Sequence, residues 1–295
     1  MNKGHRVANR FFERFVFPAP AVLFVVAMLM VPIGYTAYLS LHEWSGGLRP
    51  PSFVAFENFQ RMFASSRFWG SIGRTAYFVG LSVVLQVLLG TVAALVFHQP
   101  FFGRSVARTL YMFPLIATPT AMALVWKMIL DPTIGSVSFL TRALGAPNVA
   151  WTAEPAFVIP TLALVDTWQW TPLVMLIVLS GLAALPKEPY EAGKLDGANA
   201  FQLFVNITLP LVRPVLIIAA MFRVIDCIKT FDIIMVITAG GPGYSSEILN
   251  IYAFRESLTY FHLGYGSALL VVLTVLVFTV ALLLNRVRKR NGGLS

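Results

Sequence analysis

The sequence predicts an all-α integral membrane protein with six transmembrane helices, and three observations carry that expectation. Hydrophobic residues make up 57% of the chain and charged residues only 12%, too few polar side chains to coat a soluble surface. Apolar runs near spanning length recur at about 17–40, 72–97, 107–130, 156–181, 212–238 and 267–285. Basic residues are also unevenly shared between the connecting segments. Thirteen fall on one side (Lys3, Arg6, Arg10, Arg14, Arg104, Arg108, Lys187, Lys194, Arg213, Arg286, Arg288, Lys289 and Arg290), and six on the other (Arg49, Arg61, Arg67, Arg74, Arg142 and Arg255). The positive-inside rule makes the richer side cytoplasmic, and with it both termini and the 182–211 segment. A net charge of +9 would suggest nucleic acid in a soluble chain. Here the charge orients the chain in a lipid bilayer, and no nucleic-acid partner is expected.

The first run is too long for a cleaved leader and lacks a small-x-small cleavage site, so it reads as a retained span. With the basic N-terminal tail and an external segment of short interfacial helices it forms region 1–70. Five further spans form a core domain, 71–290, followed by a short tail, 291–295. In the second span, Gly80, Ser82 and Gly90 are small residues that allow close helix approach. In the third, Pro114 and Pro119 each remove a backbone donor and predict a kink or an unwound turn. Lys127, beside Trp126, sits where a long side chain can snorkel to the outer interface.

The fourth span carries a polar and aromatic cluster, Asp166-Thr167-Trp168-Gln169-Trp170-Thr171-Pro172. An ionised carboxylate at that depth costs about 2.5–3.5 kcal/mol on insertion scales, so Asp166 should face the bundle interior or a wet cavity. Aromatic rings next to hydrogen-bonding groups suit a sugar, whose C–H faces stack while its hydroxyls need partners. A structural hydrogen-bond knot around Pro172 is the competing reading. In the fifth span, Arg223, Asp226, Lys229 and Asp232 alternate in sign every third residue, so neighbours can pair. Three steps of about 300° place Arg223 and Asp232 on opposite faces of the helix, which excludes one charged stripe. The expectation is that Asp226 and Lys229 pair toward a cavity, Arg223 serves the cytoplasmic half, and Asp232 meets a neighbouring helix or subunit. Asp166, Trp168, Gln169, Trp170, Asp226, Lys229 and Asp232 are therefore the candidate substrate path. Cys227 is the sole cysteine, so disulfides and metal clusters are not expected.

Between the fourth and fifth spans the sequence is polar yet written as two short helices. Pro189 suits the start of a helix, Glu188 and Glu191 favour its N-terminal dipole, and Gly197 permits a sharp break. Phe201, Phe204, Val205 and Thr208 then recur as one face of a second helix, which Pro210 and Pro214 are expected to close.

The spacing Glu191-Ala192, then Gly197, then Ile207-x-Leu209-Pro210 resembles the EAA motif of permease subunits of bacterial ATP-binding-cassette importers. The third motif residue, usually Ala, is here Gly193, which lowers helix stability by about 1 kcal/mol. A second signature, Phe231-Asp232 with Thr238-Ala239-Gly240-Gly241-Pro242, Tyr252 and Gly264, resembles the sugar-importer permeases related to the larger permease of the maltose importer. Trp126, Gly135 and Trp151 fit the same branch.

The resemblance implies a type I importer permease fold in which the loop 186–210 holds a cytoplasmic coupling helix. Glu191, Ala192, Gly193, Asp196, Gly197, Leu209 and Pro210 would dock against an ATPase through the 188–205 stretch. It further implies a binding-protein-dependent importer of a sugar, oligosaccharide or sugar alcohol in the bacterial inner membrane. Its partners would be a second permease, two cytoplasmic ATP-binding subunits and an extracytoplasmic solute-binding protein. No Gly-x4-Gly-Lys-Ser/Thr phosphate loop occurs, so the chain is not expected to be an enzyme or to bind a cofactor directly. ATP and Mg would sit on the partner subunits. The alternative is an ion-gradient-driven secondary transporter relaying through the fifth-helix charges, which would call for inverted repeats that the sequence does not display.

Overall fold

The computed structural model describes residues 18–47, 50–145 and 149–291. Helices dominate: α1 (Ala19–Ser40), α2 (Glu57–Ala64), α3 (Ser66–His98), α4 (Arg104–Tyr111), α5 (Phe113–Ile116), α6 (Pro119–Ile129) and α7 (Ser136–Ala143) fill the first half. The second half holds α8 (Val158–Ala183), α9 (Glu188–Leu195), α10 (Ala200–Leu203), α11 (Leu209–Ile228), α12 (Asp232–Ile237), α13 (Leu249–Phe254) and α14 (Leu263–Asn291). Five-residue π-helical turns occupy Phe204–Thr208 and Arg255–Thr259. Among the described residues, five helices are long and apolar enough to cross a membrane: Ala19–Ser40, Ser66–His98, Val158–Ala183, Ala200–Ile228 and Leu263–Lys289.

The third expected span, 107–130, takes the unwound alternative and is built of three pieces, α4, α5 and α6. Pro114 and Pro119 each fall in the first turn of a new piece, where a missing N–H has no partner to lose. The fifth span is corrected in both directions. Pro210 and Pro214 do not end a coupling helix: backbone runs helically from Ala200 to Ile228 through both. The wide π turn at Phe204–Thr208 immediately precedes Pro210, where an ordinary turn would set the ring against a carbonyl. Helical backbone then stops at Ile228 and restarts at Asp232, so the helical-wheel relation between Arg223 and Asp232 does not hold.

The chain divides into two compact units, one comprising residues up to Ala64 with Ala253–Val272, the other Ser65–Tyr252 with residues from Leu273 onward. In the first, α1 presents apolar side chains on nearly all sides, as a lipid-exposed span does. The segment after α1 contains, besides the short helix α2, a two-residue antiparallel hairpin with His42 opposite Phe53 and Glu43 opposite Ser52. Asn58 Nδ2 donates to the carbonyls of Ser40 and His42, each at 3.0 Å, securing the end of α1. Gly264 follows from the same packing, because a Cβ there would lie 1.9 Å from the His42 carbonyl oxygen.

The second unit is built on α3 against α8. On α3 the buried residues Phe78, Ser82, Gln86, Gly90 and Ala94 recur at helical spacing, and Ala94 joins a buried cluster with Val174, Met175, Val178 and Leu182 of α8. A Cβ on Gly90 would stand 2.7 Å from Val174 Cβ, so this crossing depends on glycine. Gly80, expected to play the same part, faces open space.

Candidate functional site

Two groups of residues merit description, one at the polar loop and one in mid-span. In the loop, α9 begins at Glu188 with Pro189 in its first turn and two acidic residues, Glu188 and Glu191, at its N-terminal end. It ends in a Schellman arrangement: Gly197 N donates to Lys194 O at 3.1 Å and Ala198 N to Gly193 O at 2.9 Å, with Gly197 at φ +79°. Asn199 then starts α10 with a capping box, accepting from Gln202 N and donating its own N–H to Gln202 Oε1, both at 2.9 Å. This cap was present in the sequence as Asn-x-x-Gln and was missed.

The two short helices are tied together. Tyr190 Oη donates to Thr208 Oγ1 at 3.1 Å, and a Cβ on Gly193 would lie 2.8 Å from Leu203 Cδ2. Glycine at the third motif position thus lets α10 and the π turn approach α9. Glu191 lines a cleft of about 400 Å3 with Lys187, Tyr190 and Lys194 of the α9 region and Leu95, His98 and Leu182 at the ends of α3 and α8. Asp196 caps α9, while Leu209 and Pro210 begin α11. The outermost apolar groups were not anticipated: Leu195 is 89% exposed and Phe201 74%.

In mid-span, Arg223 is enclosed and organises three helices. Its Nε donates to Gln86 Oε1 at 2.7 Å, its Nη2 to Asp166 Oδ2 at 3.1 Å and to Cys227 Sγ, and its Nη1 to Asp226. Gln86 completes the ring by donating Nε2 to Asp166 Oδ2 at 2.7 Å, and the guanidinium lies over the Trp170 ring, 4.7 Å from its centroid. The expected pairing of Asp226 with Lys229 is therefore corrected. Asp226 is held by Arg223, and Lys229 ends α11 as an exposed cap residue.

Beside this node lies a hollow of about 120 Å3 lined by Asp166, Trp170, Asp226, Lys229, Thr230 and Asp232, among others. Asp232 also accepts from Thr120 Oγ1 of α6 at 3.0 Å, the neighbouring-helix contact expected of it. Trp168 and Gln169 are not brought to the hollow. Trp168 makes an edge-to-face contact with Trp126 at 5.5 Å, and Gln169 is buried with its Oε1 unpartnered. Asp166 Oδ1 and the hydroxyls of Ser82 and Thr167 are likewise buried without partners. The knot that competed with a sugar-binding reading therefore exists, but around Asp166 and Arg223 rather than Pro172. Gln86 gave no signal in the sequence, since a lone glutamine in an apolar run has no spacing to mark it.

A sequence profile described as "Binding-protein-dependent transport system inner membrane component" matches residues 86–291, which contain the polar loop and the hollow. The chain belongs to this family. Curated relatives of this family member include the trehalose/maltose transport system permease MalF of Thermococcus litoralis, 34% identical over 269 residues covering 90% of each chain. They also include the sulfoquinovosyl glycerol permease SmoG of Agrobacterium fabrum, 30% identical over 91% of this chain and 88% of that protein. Among solved structures, a permease-length chain of a bacterial alginate ABC transporter in complex with a pentasaccharide-bound periplasmic protein superposes with a TM-score of 0.85. The match covers 98% of both chains at 18% identity. A chain of the MetNI methionine ABC transporter gives 0.54 over 80% of this chain, also at 18% identity. The fold is thus that of ABC importer permeases, and the chain is a multi-pass membrane protein of a transport system.

Proposed function

We propose that this permease carries a neutral or derivatised carbohydrate across the bacterial inner membrane, forming half of the path, with both termini in the cytoplasm. The observation that carries the reading is the mid-span hollow. It sets the Trp170 ring beside Asp166, Asp226, Lys229 and Asp232, an aromatic face with both donors and acceptors where a polyhydroxyl solute would pass. Relatives named for trehalose and maltose transport support the cargo class.

The chain's own residues supply the coupling. A second permease would complete the path, two cytoplasmic ATP-binding subunits would bind ATP and Mg, and an extracytoplasmic solute-binding protein would deliver cargo. Displacement of α9 by an ATPase is passed on through the Tyr190–Thr208 bond and the Gly193–Leu203 contact. From there the helical run Ala200–Ile228 has no break before the Arg223 node, so the loop and the hollow are two ends of one rod. Leu195 and Phe201 are the apolar anchors best placed to enter a partner cleft, around which Glu191 and Asp196 provide charge. The division into a core domain 71–290 with flanking regions 1–70 and 291–295 is part of this proposal, residues 1–17 and 292–295 lying outside the described residues.

The test is to purify the tagged chain gently from its native membrane and assay ATP hydrolysis and sugar uptake in vesicles. Co-recovery of a second permease and an ATPase, with uptake lost in Trp170→Ala while the complex stays assembled, is the expected result. A chain recovered alone, with transport that follows an ion gradient, would overturn it.

A further inference from the structure

The outer end of α3 grips the segment that follows α12, and nothing in the import reading uses that grip. Glu247 is fully buried, and Arg67 reaches it as a fork: Nε donates to Oε1 at 2.8 Å and Nη2 to Oε2 at 2.7 Å. The Arg67 guanidinium also lies between the rings of Tyr244 and Tyr252, 4.2 Å from each centroid. About two turns further along, Arg74 Nε donates to the Glu247 carbonyl at 2.9 Å and Thr75 Oγ1 accepts from Leu249 N at 3.0 Å. The gripped segment is itself braced. Ser246 Oγ donates to Gly241 O at 2.6 Å and shares a hydrogen bond with Thr238 Oγ1 at 2.8 Å, closing the Thr-Ala-Gly-Gly-Pro turn.

We propose that Arg67 and Glu247 are positioning residues that keep the 238–252 segment and the outer end of α3 moving as one body throughout the transport cycle. Opening the pair would strip the forked guanidinium from the enclosed Glu247 carboxylate, whereas moving segment and helix together keeps both hydrogen bonds and both ring contacts. The grip spans α3 from Arg67 to Thr75, so a change at one contact is resisted by the others. Helix α3 runs from Ser66 to His98 with no proline, and it carries Gln86 of the mid-span node, so the body reaches from the turn to the hollow.

The test uses the complex purified with its ATPase subunits, in a Cys227→Ser background. Spin labels are placed at Gly73→Cys, where a side chain meets open space, and at Ser245→Cys on the turn. The expected result is one narrow distance distribution, identical without nucleotide and after trapping with ATP and vanadate, while a control pair on the two ATPase subunits moves. Glu247→Gln broadens the Gly73–Ser245 distribution in both states, and Arg67→Lys, which keeps the charge but loses the fork, gives an intermediate width. A resolved shift of the distance between the two states overturns the proposal, as does a Glu247→Gln distribution as narrow as that of the unsubstituted complex. The nucleotide arm rests on the import reading. Should the control pair stay still, that reading fails, and the Glu247→Gln arm still decides the grip.

Discussion

Replacing Gly197 by alanine isolates the conformational requirement at the end of α9, the proposed coupling helix. Gly197 sits at φ +79°, and a Cβ there would meet no atom within 4 Å, so a steric penalty against the rest of the protein is absent. What remains is the left-handed backbone, which costs a residue with a Cβ about 1–2 kcal/mol. That shifts the balance between capped and frayed loop by roughly 5–30-fold. The bonds released are Gly197 N to Lys194 O and Ala198 N to Gly193 O, and with them the register of α10. Gly193→Ala is the internal comparison. Removing a mid-helix glycine gains about 1 kcal/mol, offset by pressing Leu203 Cδ2 and Ile207 Cδ1, both flexible tips, so the loop should be nearly unchanged. The assay is amide exchange over 188–203 in the purified complex, with the amount of ATPase retained per permease. Exchange should rise and retention fall in the order Gly, Asn, Ala, Val at 197, because Asn tolerates the left-handed region. Ala and Val behaving like glycine would refute the backbone argument. Asn as damaging as Val would show that the surface of residue 197, not its conformation, matters.

Other consequences follow from the packing. Arg223→Met leaves Asp166 enclosed without a cation and should destabilise the complex by about 3–5 kcal/mol, read as a lowered unfolding temperature in detergent. Asp166→Asn in the same background should recover part of that loss. Gly90→Val forces a side chain onto Val174 and should cost about 1–3 kcal/mol, relieved by Val174→Ala; an unrelieved loss would mean the crossing is set elsewhere. Asp131, in the loop after α6, is held below the usual carboxylate range by the Thr133 hydroxyl and the backbone N–H groups of Ile134 and Thr133. Because its folded value is depressed, the loop order it contributes is present above the ordinary carboxylate range and lost as pH falls through the depressed value. Exchange at Thr133 and Ile134 should therefore rise only in strong acid, and Asp131→Asn should remove that dependence.

The elements most legible in the sequence were those whose cause is local. The spans at Val158–Ala183 and Leu263–Asn291 follow from uninterrupted apolar runs, and the break at Gly197 from a glycine placed just past a helix end. The prolines of the third run were legible as interruptions because each removes a donor from its own helix. Pro210 misled because its effect depends on a π turn upstream, which composition does not mark, and Pro214 because it lies inside a helix that continues through it. The site was harder, since its bonds join residues far apart in the chain: Arg223 reaches Gln86 and Asp166, whereas three-residue spacing suggested only its neighbours. Trp168 and Gln169 were drawn in by adjacency to Trp170, yet a helix turns successive residues about 100° apart, and only Asp166 and Trp170, one turn apart, share the face toward the hollow.

The distribution of cations gains a physical distinction from the structure. On the arginine-poor side four of the described residues are engaged: Arg67 and Arg74 hold Glu247, Arg61 lies over Tyr265, and Arg142 donates to the carbonyls of Ser138 and Thr133. On the richer side Lys187, Lys194, Arg213, Arg286, Arg288 and Lys289 are exposed. An arginine that holds a buried carboxylate or a loop carbonyl is part of the fold, while an exposed cation is available to a membrane surface or to a partner. Counting both kinds alike understates the asymmetry, because the poorer side's cations are largely committed. The same distinction supports the face proposed above for docking. Lys187 and Lys194 flank Glu191 on the loop that also carries the exposed Leu195 and Phe201, so charge left free and apolar surface left uncovered coincide on one element. That coincidence is what a docking helix needs and a structural loop does not.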